Sequence, residues 1–342
     1  MPTNFFLHAR SQLLFSLMRL RRWMPHALGY GVREVEGQRV SRPLRWFLRL
    51  VQAEPAESTP EQKRLVYDIV SDSYLGGPVC DVDVSNTILP GPVPVAIRFY
   101  RPKNVADEAP CILWIHGGGY VIGSLTSHDR FCRRLCEQTG AVVVALNYRL
   151  APEHPYPAAH EDVEAVYSWL RCNASNLGID GARIAVGGDS AGGGLTAALC
   201  QRLPVEERPR MQILCYPGTD LSKAWPSYEP WSNGYFLTRP VMRWFLNHYC
   251  PVESRTEARA SPLLAPELTD QPTTLLVTAG MDPLQDEGLA YGDKLEASGT
   301  TVHRMHVGPM VHGFITLCGV LPRASDAVEE MAEKVARLLS QK

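Results

Sequence analysis

The chain has 342 residues, 45% of them hydrophobic and 20% charged, the proportions of a globular protein with room for one large α/β domain or two smaller ones. A formal charge of −2 gives no electrostatic ground for nucleic acid as a partner. Nine cysteines, odd in number and without a C-x-x-C pair, imply reduced thiols in a cytoplasmic protein rather than a disulfide framework or a metal site.

The first fifty residues are basic: nine arginines (Arg10, Arg19, Arg21, Arg22, Arg33, Arg39, Arg42, Arg45, Arg49) face only Glu34 and Glu36. "FFLHARSQLLFSLMRLRRWM" (5–24) is amphipathic and too interrupted to span a bilayer, and it lacks the features of a signal peptide. A helix packed over the rest of the protein with its arginines in water is the favoured expectation. The alternative is a basic helix making a weak contact with an anionic membrane surface.

"EPAESTP" (54–60) reads as a linker, and "EQKRLVYDIVSDSYLGG" (61–77) carries a helical pattern. Two alternating strands follow, "VCDVDVSNTIL" (79–89) and "PVAIRFYRP" (94–102), separated by the turn "PGP". Short apolar runs then alternate with helical stretches. The predicted strands are "CILWI" (111–115), "AVVVALNY" (141–148), "RIAVGG" (183–188), "MQILCYP" (211–217), "TTLLVTAG" (273–280) and "TVHRMHV" (301–307). Helix-length segments such as "HDRFCRRLCEQTG" (128–140) and "EDVEAVYSWLRCNAS" (161–175) lie between them. This rhythm implies a mostly parallel sheet covered on both faces. Residues 219–262 interrupt it; they are rich in Pro, Trp and Tyr, hold one clear helix, "RPVMRWFLNHYC", and read as an insertion above the sheet.

In "VGGDSAGGG" (186–194), strand "RIAVGG" runs through a glycine-rich turn into the helical "LTAALCQRL". Gly188-Asp189-Ser190-Ala191-Gly192 fits G-x-S-x-G in the strand–turn–helix context that gives this motif meaning. Such a turn strains Ser190 and exposes its Oγ, while Gly188 and Gly192 let neighbouring backbone pass. Gly192, Gly194 and Ala197 also match the dinucleotide fingerprint G-x-G-x-x-A, but they fall inside the helix and no strand-end acid follows about twenty residues on. No G-K-[ST] follows, which excludes a P-loop. A purely structural glycine-rich turn remains the bland alternative.

A serine hydroxyl needs a base, an orienting acid and an anion cradle to act as a nucleophile, and each has a candidate. His312, in the glycine-flanked loop "GPMVHGF" after the last strand, is the expected base. His303 and His306 lie within a strand and read as structural. Asp282, in "TAGMDPLQDEG", is the expected acid. Asp286 and Glu287 compete, but Asp286 precedes a helical stretch and is expected to be its N-cap. "HGGGY" (116–120) offers backbone N–H groups for a substrate oxygen, with the Ala191 N–H completing the hole. His116 is expected to pin that loop by hydrogen bonds.

Together, "HGGGY", "NYRLAPEHPYPAAHED", "GDSAGG", "DPLQDEG" and "HGF" resemble the hormone-sensitive lipase-like carboxylesterases, the bacterial family IV lipolytic enzymes, over residues 76–342. The resemblance implies an α/β-hydrolase fold, with a mostly parallel eight-stranded sheet flanked by helices and a helical cap. It places an N-terminal cap region at 1–75, the catalytic domain at 76–342 and a second cap insertion at 219–262. It also implies a triad of Ser190, Asp282 and His312, with oxyanion donors Gly118, Gly119 and Ala191. "YRLAPEHPYPA" becomes a structural signature, with an Arg149–Glu153 contact expected. The activity implied is hydrolysis of carboxylic esters of short to medium acyl chain length through an acyl-enzyme, without metal or organic cofactor. Trp225, Tyr228, Trp231, Tyr235 and Phe236 either line the substrate pocket or form the cap's own core. The alternative functions are an amide deacetylase, lactonase or acyltransferase with the same triad, and a non-catalytic small-molecule receptor. The expected partner is a small-molecule ester; a homodimer is left open.

Overall fold

A computed structural model describes residues 33–35, 37–51, 58–91, 93–105 and 108–341. The basic segment 5–24 and most of the expected linker lie outside the described residues. In chain order the elements are a hairpin, β1 (Arg33–Val35) and β2 (Gln38–Val40), then α1 (Arg42–Val51) and α2 (Pro60–Val70), the last continued by a π-helical turn, Ser71–Leu75. β3 (Asp83–Leu89), β4 (Val95–Arg101) and β5 (Ala109–Ile115) lead into α3 (Asp129–Thr139), β6 (Val142–Asn147) and α4 (Ala158–Cys172). β7 (Ile179–Asp189), α5 (Ala191–Arg202) and β8 (Met211–Cys215) follow, then α6 (Tyr228–Trp231) and α7 (Arg239–Tyr249). The chain ends with β9 (Thr273–Met281), α8 (Gln285–Ala297), β10 (Val302–Val311) and α9 (Pro322–Ser340).

Strands β3 to β10 form one eight-stranded sheet in the order β10-β9-β8-β7-β5-β6-β4-β3. β4 runs antiparallel to both neighbours, β3 and β6, and the other pairings are parallel. This is the α/β-hydrolase architecture expected from the sequence. Strand alternation sends side chains to two cores. Ile112 and Trp114 pack with Phe131, Leu135, Val328 and Met331 on one face, whereas Leu113 and Ile115 pack with Val163, Val166, Leu195 and Leu199 on the other. With both faces covered, the central strands read as continuous apolar runs.

Three strands extend two or more residues beyond their sequence patterns, and β5 already begins at Ala109. β7 starts at Ile179, and β10 continues to Val311 across a register shift after Val307, so that residue 312 follows its strand directly. α1 buries Leu44, Phe47 and Leu48 while Arg42 and Arg49 are exposed. α2 begins with a capping box, the Thr59 side chain and the Gln62 backbone and side chain satisfying one another, with Pro60 in the first turn. Among the described residues no helix is long and apolar enough to cross a membrane.

Candidate active site

The candidate residues come from the carboxyl ends of β5, β7, β9 and β10, the rim where open α/β sheets bind ligands. β7 ends at Asp189 and α5 begins at Ala191, which leaves Ser190 alone in the turn at φ 56°, ψ −119°. That conformation is costly for a residue with a Cβ. Three backbone hydrogen bonds hold it: Ser190 N–H donates to Cys215 O at 2.9 Å, and Gly194 and Gly218 N–H each donate to Ser190 O at 3.1 Å. The flanking glycines are required by close approach, since a Cβ on Gly192 would stand 2.0 Å from Ile115 O, and one on Gly188 would stand 2.4 Å from Gly192 C.

His312 Nε2 lies 2.8 Å from Ser190 Oγ, and His312 Nδ1 lies 2.8 Å from Asp282 Oδ2. A carboxylate can only accept, so Nδ1 carries the proton and Nε2 is left to accept from the serine hydroxyl. Asp282 is fully buried, and its other oxygen accepts the Leu284 N–H at 2.8 Å. The Tyr216 ring packs 4.8 Å from the imidazole, centroid to centroid.

The glycine loop after β5 turns beside this group. Gly118 (φ 118°) and Gly119 (φ 59°) occupy conformations that favour glycine, and Val121 and Ile122 N–H both donate to Gly118 O. Among the described residues, the N–H groups of Gly118, Gly119 and Ala191 find no acceptor. Gly117 N–H donates to Asp189 Oδ1 at 3.0 Å, tying the loop to the residue before Ser190. His116 does pin the loop: its Nδ1 donates to Gly117 O at 2.8 Å, and its carbonyl accepts the Tyr148 hydroxyl. Burial lowers the His116 imidazole to about 3. Among the described residues no three His, Cys, Asp or Glu side chains gather as metal ligands would.

Several neighbours differ from the sequence expectations. Asp286 does not cap α8; Leu284 is the N-cap and makes no side-chain bond. The helix starts one residue before Asp286, whose carboxylate instead accepts the Ser227 N–H at 2.8 Å. The Arg149–Glu153 contact is absent. The first two turns of α4 present Glu161 and Asp162 to Arg149, while Glu153 pairs with Arg64. His128, which the sequence motifs do not mark, lies 3.2 Å from Asp189 Oδ1. Burial would raise the Asp189 carboxyl, but His128 and the Gly117 N–H together hold it below the usual range. His306 is within the sheet, bonded to Thr278.

Of the five candidate pocket aromatics, Trp231 and Tyr235 pack edge-to-face on each other, Trp225 and Tyr228 bond to Asp220 and Glu287, and Phe236 stands against the loop of the histidine, beside Gly313. The residues missed are Phe245 and Tyr249 of α7. The Phe245 ring covers Gly119, and Tyr249 stacks on Tyr120 at 3.6 Å between centroids. Only their place in an amphipathic helix could have signalled them.

A family model described as alpha/beta hydrolase fold matches residues 112–316, a span that includes the glycine loop, Ser190, Asp282 and His312. The carboxylic ester hydrolase LipN of Mycobacterium tuberculosis is 40% identical over 251 residues, 70% of this chain and 66% of that protein. An ethyl acetate hydrolase of Pseudomonas putida is 36% identical over 268 residues, 77% of this chain and 84% of its own. Among solved structures, a thermostable esterase from Pseudomonas putida superposes with a TM-score of 0.83 at 30% identity, covering 89% of this chain and 98% of that one. An alpha/beta hydrolase enzyme from the metagenome of Lake Arreo superposes with a TM-score of 0.81 at 36% identity, covering 87% and 98%.

Proposed function

Because the chain belongs to the α/β-hydrolase family, in its hormone-sensitive lipase-like branch, we propose that it is a carboxylic ester hydrolase working through an acyl-enzyme on Ser190. What carries the reading is the pair of 2.8 Å contacts that link Ser190 Oγ, His312 and Asp282. Ser190 Oγ attacks the ester carbonyl as His312 Nε2 takes its proton, and Asp282 steadies the imidazolium that results. The carbonyl oxygen, now an anion, is received by the N–H groups of Gly118, Gly119 and Ala191, each donor of this kind contributing about 3–4 kcal/mol in the transition state. His312 returns the proton to the leaving alcohol as the C–O bond breaks. Water, activated by the same imidazole, then releases the acid and restores the serine.

The acyl chains accepted are short to medium. Phe245 over Gly119 and Phe236 beside Gly313 put aromatic bulk against the oxyanion loop and the histidine loop, and the similarity to an ethyl acetate hydrolase agrees with a small substrate. The described residues before 76 and the 219–262 insertion form the cap. A reducing, cytoplasmic setting suits nine cysteines that are all free thiols.

The test is turnover of 4-nitrophenyl esters over a series of acyl lengths, with Ser190→Ala as the control. Rates should be highest for acetyl to hexanoyl esters and fall steeply beyond, and Ser190→Ala should lower kcat by about 10⁴–10⁶. A fluorophosphonate should label the peptide that holds Ser190. Turnover surviving in Ser190→Ala would reject the mechanism; a maximum at palmitoyl esters would reject the size assignment.

A further inference from the structure

α2 is attached to the molecule in an unusual way. It buries no residue, and its apolar Leu65 and Val66 are exposed. Besides Val70, packed against the core in its last turn, and Lys63, over the Trp244 ring, its contacts come from Arg64, Tyr67 and Asp68, which share one face by their three- and four-residue spacing. Asp68 Oδ1 accepts the Ser124 hydroxyl at 2.6 Å, and the Tyr67 ring lies 6.4 Å from that of His128. Arg64 makes the most bonds. Its Nε donates to Val121 O and its Nη2 to Ala151 O, both at 2.7 Å, and its fork meets both carboxylate oxygens of Glu153 at 2.9 and 2.6 Å.

The two carbonyls that Arg64 holds belong to peptides adjoining the glycine loop. Val121 N–H donates to Gly118 O, and Ala151 N–H donates to Tyr120 O. One guanidinium therefore ties both ends of Gly118–Tyr120 to the same point. The ion pair contributes little to stability, because the Arg64 and Glu153 side chains are 24% and 43% exposed. Its effect is to orient the fork: Arg64 holds the Glu153 carboxyl down to about 2, so Glu153 stays charged through the working pH range. Arg64 also lies outside the span 112–316 that the family model matches.

We propose that Arg64 is a positioning residue for the oxyanion amides of Gly118 and Gly119, so that α2 sets the geometry of the anion cradle from outside the catalytic core. The inference rests on the reading of those amides given under the proposed function. Lysine carries the charge of arginine but cannot serve two carbonyls and a carboxylate from one plane. Arg64→Lys should therefore keep the stability of the protein and still lose turnover.

The experiment measures kcat, KM, melting temperature and the affinity for a reversible trifluoromethyl ketone, to whose carbonyl Ser190 Oγ adds as His312 takes its proton, leaving a hemiketal oxyanion in the cradle, in Arg64→Lys and Arg64→Ala. In both, kcat should fall about ten- to a hundredfold, as for a catalytic group displaced by about 1 Å. Ketone affinity should fall in step, with KM changed less than about threefold. If Arg64→Ala does not fold, Arg64→Lys and Glu153→Gln supply the same comparison, Glu153→Gln with the smaller loss. Unchanged kcat and ketone affinity in folded Arg64→Lys would overturn the proposal, as would a rise in KM alone. Ser190→Ala separates the two claims: if it is inactive while Arg64→Lys is normal, only the positioning role fails.

Discussion

At Gly192 a Cβ would meet Ile115 O at 2.0 Å and His116 O at 2.7 Å, backbone atoms at the end of β5. At Gly119 the nearest atoms belong to the Phe245 ring, at 2.3 Å, which is a side chain and can be removed. The two positions should respond differently to the same substitution. Gly192→Ala forces β5 away from α5, and should cost about 1–3 kcal/mol of stability, as overpacking does, with most of the activity. No side-chain truncation nearby should rescue it. Gly119→Ala carries about 1–2 kcal/mol for its left-handed backbone plus the ring clash, and Phe245→Ala in the same chain should restore part of the lost kcat/KM. Equal activity in the single and double variants would show that the ring is not what the glycine avoids. The glycines, the serine, the aspartate and the histidine were all legible as motif residues. Phe245 was not, because "RPVMRWFLNHYC" says that a helix forms but not which turn lies on which loop.

The same limit shows between elements. In "DPLQDEG" the sequence marks Asp282 as the acid, but the partners of the next two carboxylates depend on where residues 219–262 return to the sheet. Asp286 and Glu287, at the start of α8, hold that segment: Asp286 takes the Ser227 N–H, and Glu287 takes the Thr219 and Asp220 N–H groups at 2.8 and 3.2 Å. Burial raises the Glu287 carboxyl well above its ordinary value of 4.5. The folded protein keeps that proton at pH values where the unfolded chain has lost it. This contribution to stability is complete below 4.5 and declines as the pH rises toward the folded value, by up to about 1.4 kcal/mol per pH unit. Glu287→Gln keeps the acceptor oxygen and titrates nowhere. In urea unfolding, the wild type should lose stability relative to Glu287→Gln as the pH rises above about 4.5. A difference that stays constant over that range would show that the buried carboxyl does not titrate as described.

For the molecule as a whole, the sheet was readable because strands buried on both faces must be apolar throughout, and all eight predicted strands are present. Their lateral order was not readable, since it depends on which faces the helices cover. The attachment of α2 escaped for the opposite reason, Arg64, Tyr67 and Asp68 facing inward while Leu65 and Val66 face outward. Two buried histidines report on how this assembly responds to acid. His116 pins the glycine loop, and His160 on α4 touches the Tyr249 hydroxyl of α7 at 2.9 Å. Burial lowers both imidazoles to about 3, against an ordinary 6.5. Between those values the unfolded chain binds protons that the folded protein excludes. The stability they provide is therefore full above 6.5 and is lost as the pH falls toward 3, by up to about 1.4 kcal/mol per pH unit for each ring. Glu287 acts with the opposite slope. Replacing His160 with Gln removes one of the two titrating rings while leaving an amide to meet Tyr249. In unfolding experiments between about pH 4 and about pH 6, the slope of stability against pH should drop in His160→Gln by up to about 1.4 kcal/mol per unit. An unchanged slope would mean that His160 already binds its proton in the folded protein, and that acid does not act through the contact between α4 and α7.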